Sequence, residues 1–177
     1  MELRRTANGA LAGVVAAGVW AAQQPLDKRV FGSSYDDVEL LGKLVQRGQG
    51  WQLPGLGLHL ANGAVFGALY SLVRPVFPGP ALLAGVSAGL AEHAGFWPAV
   101  GLVDRHHPAR KELVALSGNR RAFAQAAWRH LLFGLVLGEL ERRLNADAEF
   151  EPLEDVPVTS NGHGNIEHAA VGATEES

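Results

Sequence analysis

Long apolar stretches alternate with shorter polar ones along the chain, and four of the apolar stretches stand out by length: about Ala7–Gln24, Leu53–Val73, Pro80–Val103 and Ala122–Leu140. A helix needs roughly 20 apolar residues to cross a hydrocarbon core, so each stretch predicts a membrane span. The first reads ANGALAGVVAAGVWAAQQ and the third PALLAGVSAGLAEHAGFWPAVGLV, both dominated by Gly and Ala. Glycine costs about 1 kcal/mol per residue inside a soluble helix, whereas between membrane helices small residues let backbones approach closely. A water-soluble bundle is the weaker reading. The fourth stretch is the least regular, because Gln125, Arg129 and His130 interrupt its first half. The expected fold is all-α: a polytopic membrane protein with a four-helix transmembrane bundle over residues 1–145, followed by a tail, 146–177.

Arg4 and Arg5 ahead of an apolar run, with Val19-Trp20-Ala21 near its end, have the outline of a cleaved signal peptide. The internal repeat described below makes that run the counterpart of the third and argues for its retention. Between the first two spans, Ser34-Tyr35-Asp36-Asp37 has capping-box spacing, and Val38, Leu41 and Val45 then recur at helical intervals. That pattern predicts a short amphipathic helix, lying at the membrane interface or capping the bundle end. Arg74-Pro75-Val76-Phe77-Pro78-Gly79 joins the second and third spans, its prolines stopping one helix and starting the next.

The chain repeats itself at an offset of about 71–72 residues. Leu11-Ala12-Gly13-Val14 returns as Leu83-Ala84-Gly85-Val86. The pattern His-Leu-x-x-Gly-x-x-x-Gly occurs at His59, Gly63 and Gly67 and again at His130, Gly134 and Gly138. Leu26-Asp27-Lys28-Arg29 and Val103-Asp104-Arg105-His106 form similar charged exits. The expectation is a duplicated two-helix hairpin, both copies entering the membrane in the same direction.

Composition narrows the chemistry. With no cysteine, disulfides, thiolate metal sites and cysteine nucleophiles drop out. The net charge of −3 hides an asymmetry: eight acids and no Lys or Arg follow Arg143. That stretch has no apolar period and reads as disordered; His163 and His168 lie in it without companion ligands. Nine Lys and Arg flank the first and third connections, against five at the other end. The positive-inside rule then puts both termini outside. His106 and His107, in the basic third connection, read as solvated or near headgroups, and Glu139 beside Arg142 and Arg143 as solvated. The bilayer is the expected partner, with a homo-oligomer as an option and no nucleic acid.

Helical geometry puts Gly63 and Gly67, Gly85 and Gly89, and Gly134 and Gly138 on stripes suited to close helix packing, with His59, His93 and His130 on the same stripes. Gln23, Gln24, His59, Asn62, Glu92, His93, Arg129 and His130 all fall in one half of the membrane, an interior polar cluster. Intramembrane ionisable groups face the interior and pair or serve function. Arg129 is expected to pair with Glu92, the acid inside another predicted span.

The favoured reading is a structural or regulatory membrane protein with no catalytic residue, metal or cofactor, whose polar network sets helix register. The competing readings are a small oligomeric transporter or channel component using Glu92, His93 and Arg129, a haem clamp at His59 and His130, and an intramembrane enzyme centred on Glu92-His93. Among known proteins, the Gly/Ala-rich first helix, the exit Gln-Gln-Pro-Leu-Asp-Lys-Arg (Gln23–Arg29) and the Glu92-His93 pair resemble small uncharacterised bacterial inner-membrane proteins of the YagU-like kind. The resemblance covers the membrane portion, implies a multi-pass inner-membrane location and carries over no catalytic residue. An Arg-to-Lys ratio of 12 to 3 fits a bacterial origin.

Overall fold

The computed structural model describes residues 2–77 and 79–146, and their regular structure is entirely helical. Of the predicted tail, residues 147–177 lie outside the described residues. Six α-helices follow in order: α1 (Glu2–Phe31), α2 (Asp37–Val45), α3 (Gln52–Val73), α4 (Ala81–Phe96), α5 (Val100–His106) and α6 (Arg120–Leu144). A 3-10 turn at Arg74–Val76 ends α3, and another at Trp97–Ala99 separates α4 from α5.

The helix ends depart from the sequence expectation in two places. α1 continues through Pro25 to Phe31 instead of stopping at Gln24. A proline removes one backbone hydrogen bond, and neighbouring packing can hold the helix together on both sides of it. The expected third span is broken at Pro98 into α4 and α5, because the turn there takes up the proline's missing N–H.

α2 forms where its apolar spacing predicts, but Asp36, not Ser34, is its N-cap and accepts from the Glu39 backbone N–H at 2.9 Å. It docks on the start of α3 at a glycine contact. A Cβ on Gly55 would stand 2.1 Å from the Val38 carbonyl oxygen. Leu44 and Val45 at its end remain exposed.

The long helices pack as two antiparallel pairs, α1 with α3 and α4 with α6, and α6 also lies along α1. Both pairs cross through glycine, at corresponding positions. A Cβ on Gly67 would meet the Gly9 carbonyl oxygen at 2.1 Å, and one on Gly138 would meet the Ala81 carbonyl oxygen at 2.4 Å. One turn further along, Gly63 opposes Gly13, and Gly134 opposes Gly85. Gly89 abuts the His130 carbonyl. Backbones this close exclude any side chain larger than hydrogen. By contrast α3 and α4, although sequential, scarcely touch.

Apolar packing inside is modest and centres on Ala12, Ala16, Trp20, Tyr70, Phe133 and Leu137. Polar groups are buried alongside it: Arg129 and Gln125 are 0% exposed and Asp27 2%. Meanwhile Leu11, Val15, Val65, Leu69, Leu83 and Leu102 face outward. Buried charges beside exposed apolar side chains are the informative departures from the usual distribution in a folded domain. Among the described residues, one helical segment, Gln52–Val76, is by its own length and composition apolar enough to cross a membrane. α4 alone has only 16 residues, and α6 carries Arg129 and His130 near its middle and Glu139 towards its end.

Candidate functional site

Arg129 projects from α6 into a site built by the end of α1 and the start of α2. Its Nε and Nη2 donate to the two carboxylate oxygens of Asp27 at 2.6 and 2.7 Å, a two-pronged pair. Its Nη1 donates to Asp37 at 2.6 Å, and Nη2 also to the Tyr35 carbonyl at 3.1 Å. Gln125 and Gln23 donate their amides to Asp27 at 2.7 and 2.6 Å. Gln24, oriented to satisfy its amide nitrogen, lies 2.8 Å from the Asp36 carboxylate. The Trp20 indole and the Tyr35 hydroxyl both donate to Asp37. Burial, then the adjacent Asp37 carboxylate, push the Tyr35 hydroxyl well above its ordinary pKa, so it remains a donor.

This arrangement corrects the expected Arg129–Glu92 pair. Arg129 takes Asp27 and Asp37, while Glu92 accepts from His130 Nε2 at 2.7 Å. The physical reason is the extra length of α1. Asp27 stands three residues beyond Gln24, about one turn past the expected helix end, so continuing the helix carries it to the depth of Arg129.

The eight residues of the predicted polar cluster therefore divide. Gln23, Gln24 and Arg129 belong to the carboxylate network just described. His59, Asn62, Glu92, His93 and His130 line a cleft of about 240 Å³, left open because α3 and α4 lean on their own partners. His59, Asn62 and Phe66 of α3 form one wall; Glu92, His93 and Phe96 of α4 form the other. Trp20, His130 and Phe133 close the bottom, and Tyr35, Asp37, Leu40 and Leu41 roof one end. Asn62 and Phe96 are exposed and flank the mouth.

Aromatic rings order the floor. The Trp20 indole meets His59 and His130 edge-on, with centroids 5.3 and 4.7 Å away, and the His93 ring lies 4.9 Å from His130. Two atoms stand out. Nε2 of His59 and Nε2 of His93 have no hydrogen-bond partner, although the residues are only 7% and 5% exposed. A buried polar atom left unpaired costs about 1–3 kcal/mol.

The chain matches no family model, no curated protein and no solved structure. A haem clamp at His59 and His130 does not fit. His130 has Nδ1 against the Ala126 carbonyl at 2.7 Å and Nε2 on Glu92, and Trp20 packs against both imidazoles. Among the described residues no group of three or more His, Asp or Glu side chains is arranged to hold a metal.

Several polar residues were not foreseen in these roles. Asp27 and Asp37 lie in the first connection as read from sequence, and nothing in their spacing points inward. Glu141 is 2% exposed at the opposite end of the bundle, held by Arg5 at 3.2 Å, Ser71 at 3.1 Å and Asn145 at 3.0 Å. Four residues at helical spacing, Gly134, Leu137, Gly138 and Glu141, share one face of α6, and that stripe was the available signal. His107 is a second correction to the solvated reading. It is buried, accepts from the Ala109 N–H at 3.0 Å, and so donates through Nε2 to the Leu40 carbonyl at 3.0 Å. His106 is exposed, and Glu139 pairs with Arg142 and Arg143 at the surface.

Proposed function

We propose that the protein is a multi-pass membrane protein whose four long segments (α1, α3, α4 with α5 as far as Val103, and α6) span the bilayer. In this reading the carboxylate–arginine network sets helix register and the α3/α4 cleft receives a ligand from the lipid phase. The observation that carries it is the set of buried charges inside a bundle with apolar side chains exposed on its outside. A soluble protein seldom exposes apolar patches beyond a few hundred Å², yet here Leu and Val are exposed along α1, α3 and α4, and Phe123 and Trp128 on α6, while Arg129, Asp27, Gln125 and Glu141 are buried. In lipid that distribution is the favourable one. The matching glycine crossings of the two pairs support descent from a duplicated hairpin.

The end of the bundle formed by α2 and residues 107–119 is tied together by His107 on the Leu40 carbonyl and Lys43 on Glu112. It carries the larger share of Lys and Arg, which favours the cytoplasmic side. Transport along Glu92, His93 and Arg129 has less support. Arg129 is fully engaged, and between Phe133 and the buried Glu141 cluster at the far end the interior is lined by Ala12, Ala16 and Leu137.

The absence of cysteine makes the test clean. The protein should stay in membranes washed with alkaline carbonate. Single cysteines at Arg47 and Ser117 should resist an impermeant maleimide in intact cells and react after permeabilisation, while Phe77→Cys reacts without it. Release by carbonate would overturn the membrane reading, and the opposite labelling pattern would reverse the orientation.

A further inference from the structure

We propose that the α3/α4 cleft binds a quinone or quinol: a neutral ring bearing two oxygen functions, attached to an apolar tail. The proposal rests on the membrane reading above and adds the chemical class of the ligand.

Four features of the cleft converge on this class. The first is shape. A cavity of about 150 Å³ takes up benzene, so one of about 240 Å³ has room for a six-membered ring with several substituents. Trp20, Phe66, Phe96, Trp97 and Phe133 present aromatic surfaces to it, and flat rings stack or meet edge-on with such surfaces at a gain of about 0.5–1.5 kcal/mol per pair.

The second feature is hydrogen bonding. His59 and His93 sit on opposite walls, each more than nine-tenths buried, each with an unpartnered Nε2. Both nitrogens lie within the walls rather than at the open cleft surface, so a ring bearing two oxygen functions would reach them once each imidazole turns, one from each wall. A neutral imidazole nitrogen is a donor in one tautomer and an acceptor in the other. With the other ring nitrogen of His59 donating to the Ala17 backbone, its neutral Nε2 is an acceptor for a quinol hydroxyl, while His93 can donate to a quinone carbonyl or accept from a quinol hydroxyl.

The third feature is charge. The two acids lining the cleft are already matched: Asp37 by Arg129, Trp20 and Tyr35, and Glu92 by His130. A charged headgroup would enter without a counter-ion, which is costly away from water. A neutral head avoids that cost. The fourth is access. The mouth lies between Asn62 and Phe96, on the side where α3 and α4 fail to pack. Val65 and Leu69 on α3 and Leu82 on α4 are exposed beyond it, a surface along which an apolar tail can lie in lipid.

The experiment uses the full chain in lipid nanodiscs with Trp51→Phe and Trp128→Phe, which leaves Trp20 and Trp97, both lining the cleft, as the remaining indoles. Titration with a decyl-substituted benzoquinone should quench their emission saturably. Decylcyclohexane, with the same tail and no oxygens, should compete at least tenfold more weakly. Replacing both His59 and His93 by Ala should weaken quinone binding tenfold or more. Gln at both positions, which keeps a hydrogen-bonding group, should recover part of the loss. All variants are compared at equal folded fraction, judged from their melting curves.

Non-saturable quenching would overturn the proposal. So would equal competition by decylcyclohexane, which would mean an unselective lipid cleft, or quinone affinity unchanged in the folded His59→Ala/His93→Ala protein. Tighter binding of a decyl benzoate anion than of the quinone would overturn the neutral-head argument. A carbonate-resistant protein that fails these tests loses only the ligand assignment, whereas release by carbonate removes the membrane reading beneath it.

Discussion

Arg129 shows how strongly one residue can organise its surroundings. An arginine in the middle of a membrane helix costs roughly 2.5–3.5 kcal/mol on insertion scales, and here it meets two carboxylates at 2.6 Å each. Breaking a buried pair by removing one partner costs about 3–5 kcal/mol, because the other charge stays behind unmatched. Arg129→Gln and Asp27→Asn should each destabilise the detergent-solubilised protein by about that much. The double variant should lose clearly less than the sum, measured by unfolding in a double-mutant cycle. Arg129→Lys should recover little, since an ammonium cannot supply the fork that grips Asp27. Glu92→Gln should be mild by comparison, because the Glu92 side chain is 36% exposed and touches His130 rather than Arg129. Losses that simply add would show that Asp27 and Arg129 act independently.

At the scale of helices, glycine decides which pairs form. A Cβ on Gly13 would sit 1.9 Å from the Gly63 carbonyl oxygen, and one on Gly134 would sit 2.3 Å from the Gly85 carbonyl oxygen. The obstacle in each case is backbone, so the helices themselves must separate. Gly13→Ala and Gly134→Ala should each cost about 1–3 kcal/mol, the usual penalty of overpacking. Gly18 and Gly57 lie in the same two hairpin helices of the first pair with nothing within 4 Å of the added carbon. Alanine there should be neutral, or stabilising by about 0.5–1 kcal/mol from helix propensity. Thermal melting of the four variants side by side separates crossing glycines from idle ones; equal behaviour would show that the crossings contribute nothing.

For the molecule as a whole, the end bearing the connections is held by a few polar contacts that respond to pH. Burial would raise the Asp104 carboxyl, but the backbone N–H groups of Leu116 and Ser117, at 2.9 and 2.7 Å, outweigh it and hold the pKa below its ordinary value. A group whose folded pKa is depressed contributes stability above its unfolded value, near pH 3.9, and loses it as pH falls through the folded value. The melting temperature should thus decline below about pH 4. In Asp104→Asn the part of that decline owed to Asp104 should vanish, at the cost of a lower melting temperature near neutrality. An unaltered pH profile in that variant would show that the carboxylate is not the sensor. The same end carries the glycine-docked α2 and the buried His107, so residues 32–51 and 107–119 together form a polar cap over the cleft-bearing half of the bundle.

How much of this was legible in the sequence follows from the range of the interactions involved. The all-helical class, the bounds of α3, the existence of α2 and the glycine stripes with their histidines depend on local periodicity, which a linear pattern records directly. The partner of Arg129 depends on how far α1 continues, and Pro25 is a stop signal locally but not when packing holds the helix on either side. Asp27, Asp37 and Glu141 look like exit or surface acids until a neighbouring helix delivers Arg129 or Arg5 to them. The cleft was out of reach for a different reason. It exists because α3 and α4, adjacent in sequence, each prefer a glycine crossing with another helix, and a gap between two well-satisfied pairs leaves no mark on either strip of residues. Periodicity thus determined which faces turn inward; tertiary packing decided which inward residues meet, and left His59 and His93 without a partner.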